Sequence, residues 1–285
     1  MQYVAWVTDP LETLDTARDT TLRLIREGIK LGIPQIHLDP SGIVRNDKLT
    51  LSGYDPNTGM SLSTCSLKAI CYRVDPPVDR HYLHPLLILA SSQIPIINPA
   101  AILTSWSEKT LGIAMELAPP SIISQNPDAL FQFAQKYQDI IIKPLHRAQS
   151  RGIKRLRHVK RSQFENLKYP ILLQRFLPGI YDGEIRIWYA GGEILGVLRK
   201  KPLQGDYRVN TDRGSTIERV TLTEQLRLKA EKAGAFLQKR GVRLAAIDYI
   251  EEQVTDCNVT SPGLLCEMEE LLGCNLAEHI LRELF

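Results

Sequence analysis

The chain has 285 residues, of which 44% are hydrophobic and 24% charged, with a formal net charge of +3 and a pI near 8.5. This composition suffices for a buried core in one large or two to three small domains, and the charge balance is too mild to indicate nucleic-acid binding. No apolar run is long enough to span a bilayer and no basic segment opens the chain, so we expect an unprocessed, cytoplasmic protein without a membrane partner.

The first 38 residues predict a strand, a helix and a strand. Residues 4–7 read as a buried strand, residues 16–31 carry apolar side chains at helical spacing, and residues 34–38 read as a second strand. This βαβ order predicts a parallel sheet whose ligands gather at the carboxyl ends of its strands. Asp9 and Asp19 fall at such an end and at a helix start, although a strand terminator and a helix cap explain them equally well.

The next segments predict a small hairpin at residues 42–51 and a buried strand at residues 67–74. That strand runs into the sequence Arg-x-Asp-Pro-Pro-x-Asp at residues 73–79. Consecutive prolines fix an extended exit, which holds Arg73 and Asp75 in set directions. Residues 81–92 then predict a helix, and residues 94–99 a strand that leaves the first domain near Asn98.

Two lysines stand at positions suited to nucleotide phosphates, which need point charges within reach of their oxygens. Lys109 follows Ser107 and Glu108, which are expected to open a helix, and Lys143 ends the apolar strand predicted at residues 139–144. A solvated surface lysine is the alternative for each, and the apolar strand before Lys143 weakens that alternative.

Residues 147–161 contain seven Lys or Arg in fifteen positions. Such a run could attract RNA, an acidic partner or nucleotide phosphates. No aromatic residue is interleaved before Phe164, so base stacking is not supported, and we favour the solvated surface of a lid.

The second half of the chain predicts more strands and three helices. Strands are expected at residues 169–177, 187–190 and 193–201, with a turn at Gly191 and Gly192, and helices at residues 222–240, 263–272 and 275–284. Strands at residues 242–250 and 254–262 are joined by a tight polar turn at residues 251–253.

This last hairpin carries oxygen donors. Asp256 and Asn258 are two residues apart, so they leave one face of a strand, and Asp248 on the preceding strand can oppose them. Three hard oxygen donors on adjacent strands suit Mg²⁺, although a hairpin with exposed polar residues is the alternative.

Cys257 falls on the opposite face and reads as core rather than as a redox group. The five cysteines are odd in number and lack Cys-x-x-Cys spacing, which argues against disulfides or zinc and fits a reducing cytoplasm.

Residues 258–262, Asn-Val-Thr-Ser-Pro, together with the strand that ends in Asp248, resemble the metal-binding end of the bacterial glutathione synthetases, which are ATP-grasp ligases. Residues 73–79 are similar to the segment that this family places beside its dipeptide substrate. The resemblance runs in order from Asp9 to Pro262. It implies an α/β protein of ATP-grasp fold with an N-terminal βαβ (pre-ATP-grasp) substrate domain at 1–97. An ATP-grasp domain follows at 98–285, divided into a central lid part, 98–175, and a C-terminal catalytic part, 176–285.

The resemblance also implies cofactors and the residues that hold them. The cofactors are ATP and Mg²⁺, with two ions expected and Mn²⁺ as a possible substitute. The metal ligands are Asp248, Asp256 and Asn258. The nucleotide-binding residues are Lys109 and Lys143 at the phosphates, Gln174, Phe176 and Leu177 in the adenine hinge, and Glu184 at the ribose.

The remaining implied roles concern the reaction and its substrates. The residues expected at the transferred phosphate or acyl-phosphate are Arg186, Lys200, Arg208 and Asn210. The residues expected at the substrate are Asp9, Arg73, Asp75 and Ser261. The substrates implied are γ-glutamylcysteine and glycine, which form glutathione. We expect small-molecule substrates, a homo-oligomer and no nucleic-acid partner.

The chain departs from the family in four places. Asp256 replaces the usual glutamate, Lys200 replaces an arginine, and two loops, 146–155 and 211–216, are poor in the glycines that cover phosphates. The first loop either contacts phosphate through Arg147, Ser150 and Arg151 or no longer closes. Another pair of peptide-like acid and amine is therefore plausible. The alternatives are a degenerate ATP-grasp protein that binds nucleotide or a partner without turnover, and an RNA- or acidic-partner-binding module using residues 147–161.

Overall fold

A computed structural model of the chain describes residues 1–145, 152–209 and 214–285. Within these ranges the chain forms three sheets and eight α-helices. None of the described helices combines the length and the apolar character needed to cross a bilayer.

The first sheet has seven strands, and its centre is parallel. Its strands are β1 (Tyr3–Val7), β2 (Gln35–Leu38), β3 (Ile43–Arg45), β4 (Leu49–Tyr54), β5 (Ser61–Thr64), β6 (Leu67–Tyr72) and β7 (Ile96–Ile97). Their order is β3-β4-β2-β1-β6-β7, with β5 on β4, and β1 pairs in parallel with both β2 and β6. The helices of this part are α1 (Thr20–Lys30) and α2 (Arg80–Ala90). The predicted βαβ opening is therefore confirmed.

The second sheet has four strands in the order β10-β9-β11-β8. They are β8 (Ser121–Ser124), β9 (Asp139–Pro144), β10 (Lys154–Arg157) and β11 (Ile171–Arg175). Helix α5 (Pro127–Tyr137) packs on this sheet and encloses a small core of its own around Leu130 and Phe164. Two short helices, α3 (Ala100–Ser105) and α4 (Leu111–Ala114), connect the first sheet to the second.

The third sheet is antiparallel, with five strands in the order β14-β13-β12-β15-β16. They are β12 (Glu184–Ala190), β13 (Glu193–Lys201), β14 (Thr216–Glu218), β15 (Leu244–Ile250) and β16 (Gln253–Asn258). The accompanying helices are α6 (Glu224–Gln238), α7 (Leu265–Leu272) and α8 (Leu276–Leu284). Gly191 and Gly192 form the predicted turn between β12 and β13, and both adopt the positive φ that such a two-residue turn requires.

The first and third sheets share their hydrophobic core. One buried cluster contains Ile36 from β2 together with Tyr249 from β15, and another contains Trp6 from β1 together with Trp188 from β12. The second sheet has its main core apart from both. The carboxyl ends of the parallel strands are thereby fixed beside the β15–β16 hairpin, while the second sheet forms a more separate layer.

Several predicted elements differ in extent from the observed ones. Helix α1 begins at Thr20 rather than at residue 16, because the Asp15 carboxylate accepts the amides of residues 17 and 18 in a separate turn and Asp19 caps the helix. The helix expected at residue 107 begins at Leu111, because the Glu108 carbonyl accepts the Cys257 amide instead of continuing a helix. The strand expected at residues 94–99 is limited to β7.

Candidate active site

The β15–β16 hairpin brings the three predicted metal ligands together. Asp248 lies directly opposite Asp256 in the antiparallel register, and Asn258 lies opposite Ala246, two residues further along the same face. Asp248, Asp256 and Asn258 all line one cleft of about 150 Å³. Cys257 is fully buried on the other face, as predicted.

Two cations engage Asp248 from the neighbouring strands β12 and β13. Arg186 donates from Nε and Nη2 to the two carboxylate oxygens at 2.8 and 2.7 Å, and the Lys200 ammonium lies 3.1 Å from Oδ1. Burial disfavours the charged carboxylate, but Arg186 and Lys200 outweigh this and hold the pKa of Asp248 well below its usual range. The Asp248 side chain is therefore ionised and able to serve as a metal ligand.

Lys200 also pairs with Glu184. Its ammonium lies 2.6 Å from Glu184 Oε2, while Thr255 Oγ1 donates to Glu184 Oε1 at 3.2 Å. Burial and the nearby charge of Asp248 raise the pKa of Glu184, although Lys200 acts in the opposite direction. Glu184, Arg186 and Lys200 all line the cleft of the metal-ligand candidates.

The two predicted phosphate-binding lysines, Lys109 and Lys143, line the same cleft. Lys143, at the end of β9, is buried and donates from Nζ to the Thr255 carbonyl at 2.8 Å. Burial lowers its pKa, with partial compensation from the Asp256 and Glu184 charges. Lys109 is buried in the segment before α4 and lines the same cleft. Residues from three separate parts of the chain thus surround one charged cleft.

The far end of the cleft is apolar. Its lining residues there are Ile141, Ile153, Phe176, Leu177, Ile180 and Ile250. Gln174 also lines it, and its side chain donates to Ser121 Oγ. The Phe176 amide donates to the Asp139 carbonyl. This amide of the predicted adenine hinge is therefore already hydrogen-bonded within the protein. The polarity of this cleft matches that of a nucleotide. The apolar end suits a flat base, and the neighbouring cations suit the phosphates.

Part of the predicted site falls outside the described residues. Asn210 and the phosphate-contact candidates of the first loop, Arg147, Ser150 and Arg151, belong there. Arg208 is described, lines the cleft and forms an ion pair with Asp206 at 2.9 Å.

The described arginines of the basic run have local acidic partners. Arg155 and Arg157 both pair with Asp139, and Arg161 pairs with Asp128 and Glu165. Arg155 also stacks on the Phe176 ring, with its guanidinium carbon 3.4 Å from the ring centroid. These contacts favour a locally neutralised surface beside the cleft over an RNA-binding strip.

The four predicted substrate residues line a second cleft of about 270 Å³. Arg73 is buried and donates to Thr21 Oγ1 and to the Pro262 carbonyl. Asp9 accepts the Asp75 amide at 2.7 Å, and Ser261 Oγ lies 2.5 Å from Asp75 Oδ1. Burial raises the pKa of Asp75, against the hydrogen bond from Ser261.

The two clefts adjoin. Arg186, Lys200 and Asn258 line both of them. A group bound in the second cleft can therefore meet a phosphate chain bound in the first, beside two cations.

Two structural ties at the site escaped the sequence analysis. Asn98 is buried and bridges the start of β15 to the end of β16, donating to the carbonyls of Leu244 and Val259 at 2.6 Å each. Its Oδ1 accepts the amides of Arg243 and Leu244. Glu108 accepts the Val259 and Thr260 amides and the Thr260 hydroxyl on one oxygen. The only sequence signals were their positions beside Pro99 and Lys109.

The donor set fits a hard divalent cation. It consists of two carboxylates and one amide oxygen, the ligands that Mg²⁺ prefers, and contains neither thiolate nor imidazole. The described residues contain no group of three or more His, Cys, Asp or Glu side chains that could hold a metal ion.

Comparison with known proteins defines the class first. Among solved structures, D-cycloserine synthetase DcsG superposes with a TM-score of 0.70 at 16% identity, covering 99% of this chain and 100% of that one. Macrocyclase MdnC from Microcystis aeruginosa, bound to its precursor peptide MdnA, superposes with a TM-score of 0.66 at 17% identity, covering 96% and 100%. ATP-grasp ligase PsnB, complexed with a minimal precursor, superposes with a TM-score of 0.65 at 13% identity, covering 99% of both chains. The predicted ATP-grasp fold is therefore confirmed.

The family follows from sequence models and curated relatives. Residues 2–103 match the N-terminal domain, and residues 108–273 the ATP-grasp domain, of prokaryotic glutathione synthetase. The glutathione synthetases of Prochlorococcus marinus (strain MIT 9313) and Mesorhizobium japonicum are 29% and 27% identical to the chain. These alignments cover 98% and 94% of this chain and 97% and 93% of the relatives. The chain belongs to the prokaryotic glutathione synthetase family, as the resemblance implied.

Proposed function

We propose that the chain joins a carboxylate to an amine at the expense of ATP, with γ-glutamylcysteine and glycine as the first substrates to test. One observation carries the proposal: the first cleft, which has an apolar end and a charged end, meets the second cleft at Arg186 and Lys200. A substrate carboxylate in the second cleft would then face the terminal phosphate of a nucleotide in the first.

The proposed nucleotide-binding roles follow from the polarity of the first cleft. Its apolar end would take adenine beside Gln174, Phe176 and Leu177, and Glu184 would accept hydrogen bonds from the ribose hydroxyls. Lys109 and Lys143 would neutralise phosphate oxygens. Such positioning and charge neutralisation supply most of the catalysis in phosphoryl transfer, without a protein nucleophile.

Asp248, Asp256 and Asn258 are the proposed ligands of Mg²⁺, with two ions expected and Mn²⁺ as a substitute. The bound metal would neutralise charge on the phosphate oxygens. Because Asp256 is one methylene shorter than the usual glutamate, we expect a weaker or shifted second metal position.

The reaction has two steps in this proposal. The substrate carboxylate oxygen attacks the γ-phosphorus and ADP leaves, which gives an acyl-phosphate. The amine then attacks the acyl carbon, phosphate leaves, and an amide remains. Arg186 and Lys200 would stabilise the transferring phosphoryl group, with Arg208 and Asn210 closing over it. Asp9, Arg73, Asp75 and Ser261 would hold the remote end of the acid.

The proposal is tested by measuring phosphate release and product mass with ATP, Mg²⁺, γ-glutamylcysteine and glycine. Release that requires both substrates, with one glutathione per ADP, is expected. Asp248→Asn should abolish it, whereas Asp47→Asn, an exposed aspartate in the β3–β4 turn, should not. If glutathione does not form, a panel of dipeptide acids and amino acids tests whether a different acid and amine pair is used.

A second candidate is nucleotide binding without turnover. It is favoured by the contacts that engage every carboxylate oxygen of Asp248 and Glu184, and by the glycine-poor loops. ATP binding with no product from any acid and amine pair would select it. The homo-oligomer stays a prediction, as does the cytoplasmic location, which is supported by five free cysteine thiols.

A further inference from the structure

The Lys200 ammonium lies between two carboxylates and lines both clefts. It bridges Glu184 at 2.6 Å and Asp248 at 3.1 Å, and only 6% of its side chain is exposed. The antiparallel register of β12 with β13 places Lys200 directly opposite Glu184, and that of β12 with β15 places Arg186 opposite Asp248. These strand pairings fix the four side chains in one buried cluster.

The charges within this cluster cancel. Two carboxylates, Glu184 and Asp248, face two cations, Arg186 and Lys200. A divalent ion at Asp248 would meet the Lys200 ammonium as a like charge at short range in a buried site. The ion and the ammonium therefore compete for the same carboxylate.

We propose that Lys200 is an internal counter-ion that keeps a divalent cation from binding this hairpin alone, so that the metal binds well only together with nucleotide phosphates. Phosphate oxygens would receive the displaced ammonium, which sits on a flexible stem and carries a compact charge. The inference rests on the proposed function, because it takes Asp248 as a metal ligand. It goes beyond that function, because Lys200 would determine the order in which the metal and the nucleotide bind.

The test measures Mn²⁺ binding by electron paramagnetic resonance, with and without ADP, for the wild type and for Lys200→Met. The wild type should bind Mn²⁺ weakly alone and tightly with ADP. Removal of the ammonium should tighten binding of Mn²⁺ alone by about tenfold or more, since one like charge is lost beside the ion. Lys200→Arg keeps the charge and should behave as the wild type.

The neighbouring residue provides a matched control. Lys201 is 41% exposed and pairs with Glu218 outside both clefts, so Lys201→Met removes the same charge without touching the cluster. It should leave Mn²⁺ binding unchanged. If Lys200→Met does not fold, as judged by circular dichroism, Lys200→Gln replaces it in the same measurement.

The outcomes separate the inference from the proposed function. If the Lys200 variant binds Mn²⁺ alone no more tightly than the wild type, while both bind Mn²⁺ with ADP, the counter-ion role is wrong and the metal site stands. If no variant binds Mn²⁺ even with ADP, both proposals are overturned. Tightening by Lys201→Met as large as that by Lys200→Met would show a general charge effect and also overturn the inference.

Discussion

Replacing Glu108 with alanine should weaken both the folded state and nucleotide binding. Glu108 is 8% exposed, and its Oε1 accepts the amides of Val259 and Thr260 at 2.8 and 3.0 Å and the Thr260 hydroxyl at 2.8 Å. Its main-chain carbonyl accepts the Cys257 amide at 3.0 Å. The residue therefore brackets Asn258 from both sides and fixes its distance from Lys109.

The magnitude follows from these contacts. Alanine would leave two buried amides and a hydroxyl without their acceptor, at about 1–3 kcal/mol for each unsatisfied group. Removing a buried carboxylate recovers part of this, because burial and the Asp256 charge raise the pKa of Glu108 and thus disfavour its charged form. We expect a net loss of about 2–4 kcal/mol in the free energy of unfolding. Glutamine keeps an oxygen acceptor, so Glu108→Gln should lose only about 1 kcal/mol.

Urea unfolding followed by circular dichroism measures the stability of both variants, and titration with ATP and Mg²⁺ measures their nucleotide affinity. Displacement of the 258–260 segment should lower kcat/KM by about 10²-fold in Glu108→Ala, and glutamine should restore most of it. The reasoning is refuted if the alanine variant unfolds at the same urea concentration as the wild type. It is also refuted if Glu108→Gln is as destabilising as Glu108→Ala, because the side-chain oxygen acceptor that glutamine retains would then not account for the stability.

Three further variants probe the proposed metal ligand Asp248, the Asn98 tie between β15 and β16, and the ion-pair network of Glu27. Asp248→Asn should lower kcat/KM by about 10³-fold or more, since a charged ligand beside the phosphates is lost. Asn98→Asp should cost about 2–4 kcal/mol of stability, because a carboxylate cannot donate to the buried carbonyls of Leu244 and Val259. Burial opposes ionisation of Glu27, but Asn275, Arg23 and Lys30 outweigh it and lower its pKa to about 2. The ionised Glu27 side chain therefore contributes up to about 3 kcal/mol to the free energy of unfolding. This contribution is present above pH 4.5 and is lost as the pH falls from there towards 2. Glu27→Gln should make the free energy of unfolding less dependent on pH in this range.

Each of these expectations can fail in a recognisable way. If Asp248→Asn releases phosphate as fast as the wild type, Asp248 is not an essential metal ligand. An unchanged urea midpoint for Asn98→Asp would show that the Asn98 hydrogen bonds between β15 and the end of β16 do not stabilise the fold. Between pH 6 and pH 2.5, the free energy of unfolding should fall less for Glu27→Gln than for the wild type. An equal fall would contradict the role given to the ionised Glu27 side chain.

The sequence pattern predicted the elements that carry a clear period. The alternating residues of β15 and β16 indicated which side chains share a face, and the register puts Asp248 opposite Asp256 as expected. Lys143, predicted at the end of an apolar strand, lies in β9 and lines the cleft. Such predictions succeed because the periodicity and the burial of a segment are local properties of its sequence.

Other features depend on contacts between distant segments, which a single sequence does not encode locally. The pairing of Lys200 with Glu184 and Asp248 follows from the order β13-β12-β15 and its register. Glu108 and Asn98 act as acceptors and donors for main-chain groups more than 140 residues away. Nothing in their local sequence distinguished them from an ordinary helix start or linker.

The central claim is that the β15–β16 hairpin presents its oxygens to a metal that holds the nucleotide phosphates. Anomalous diffraction from crystals grown with Mn²⁺ and a non-hydrolysable ATP analogue tests it directly. We expect a manganese peak at about 2.0–2.4 Å from oxygens of Asp248, Asp256 and Asn258 and from phosphate oxygens, with Lys200 moved away from Asp248. A nucleotide bound with its metal away from these three side chains would contradict the account.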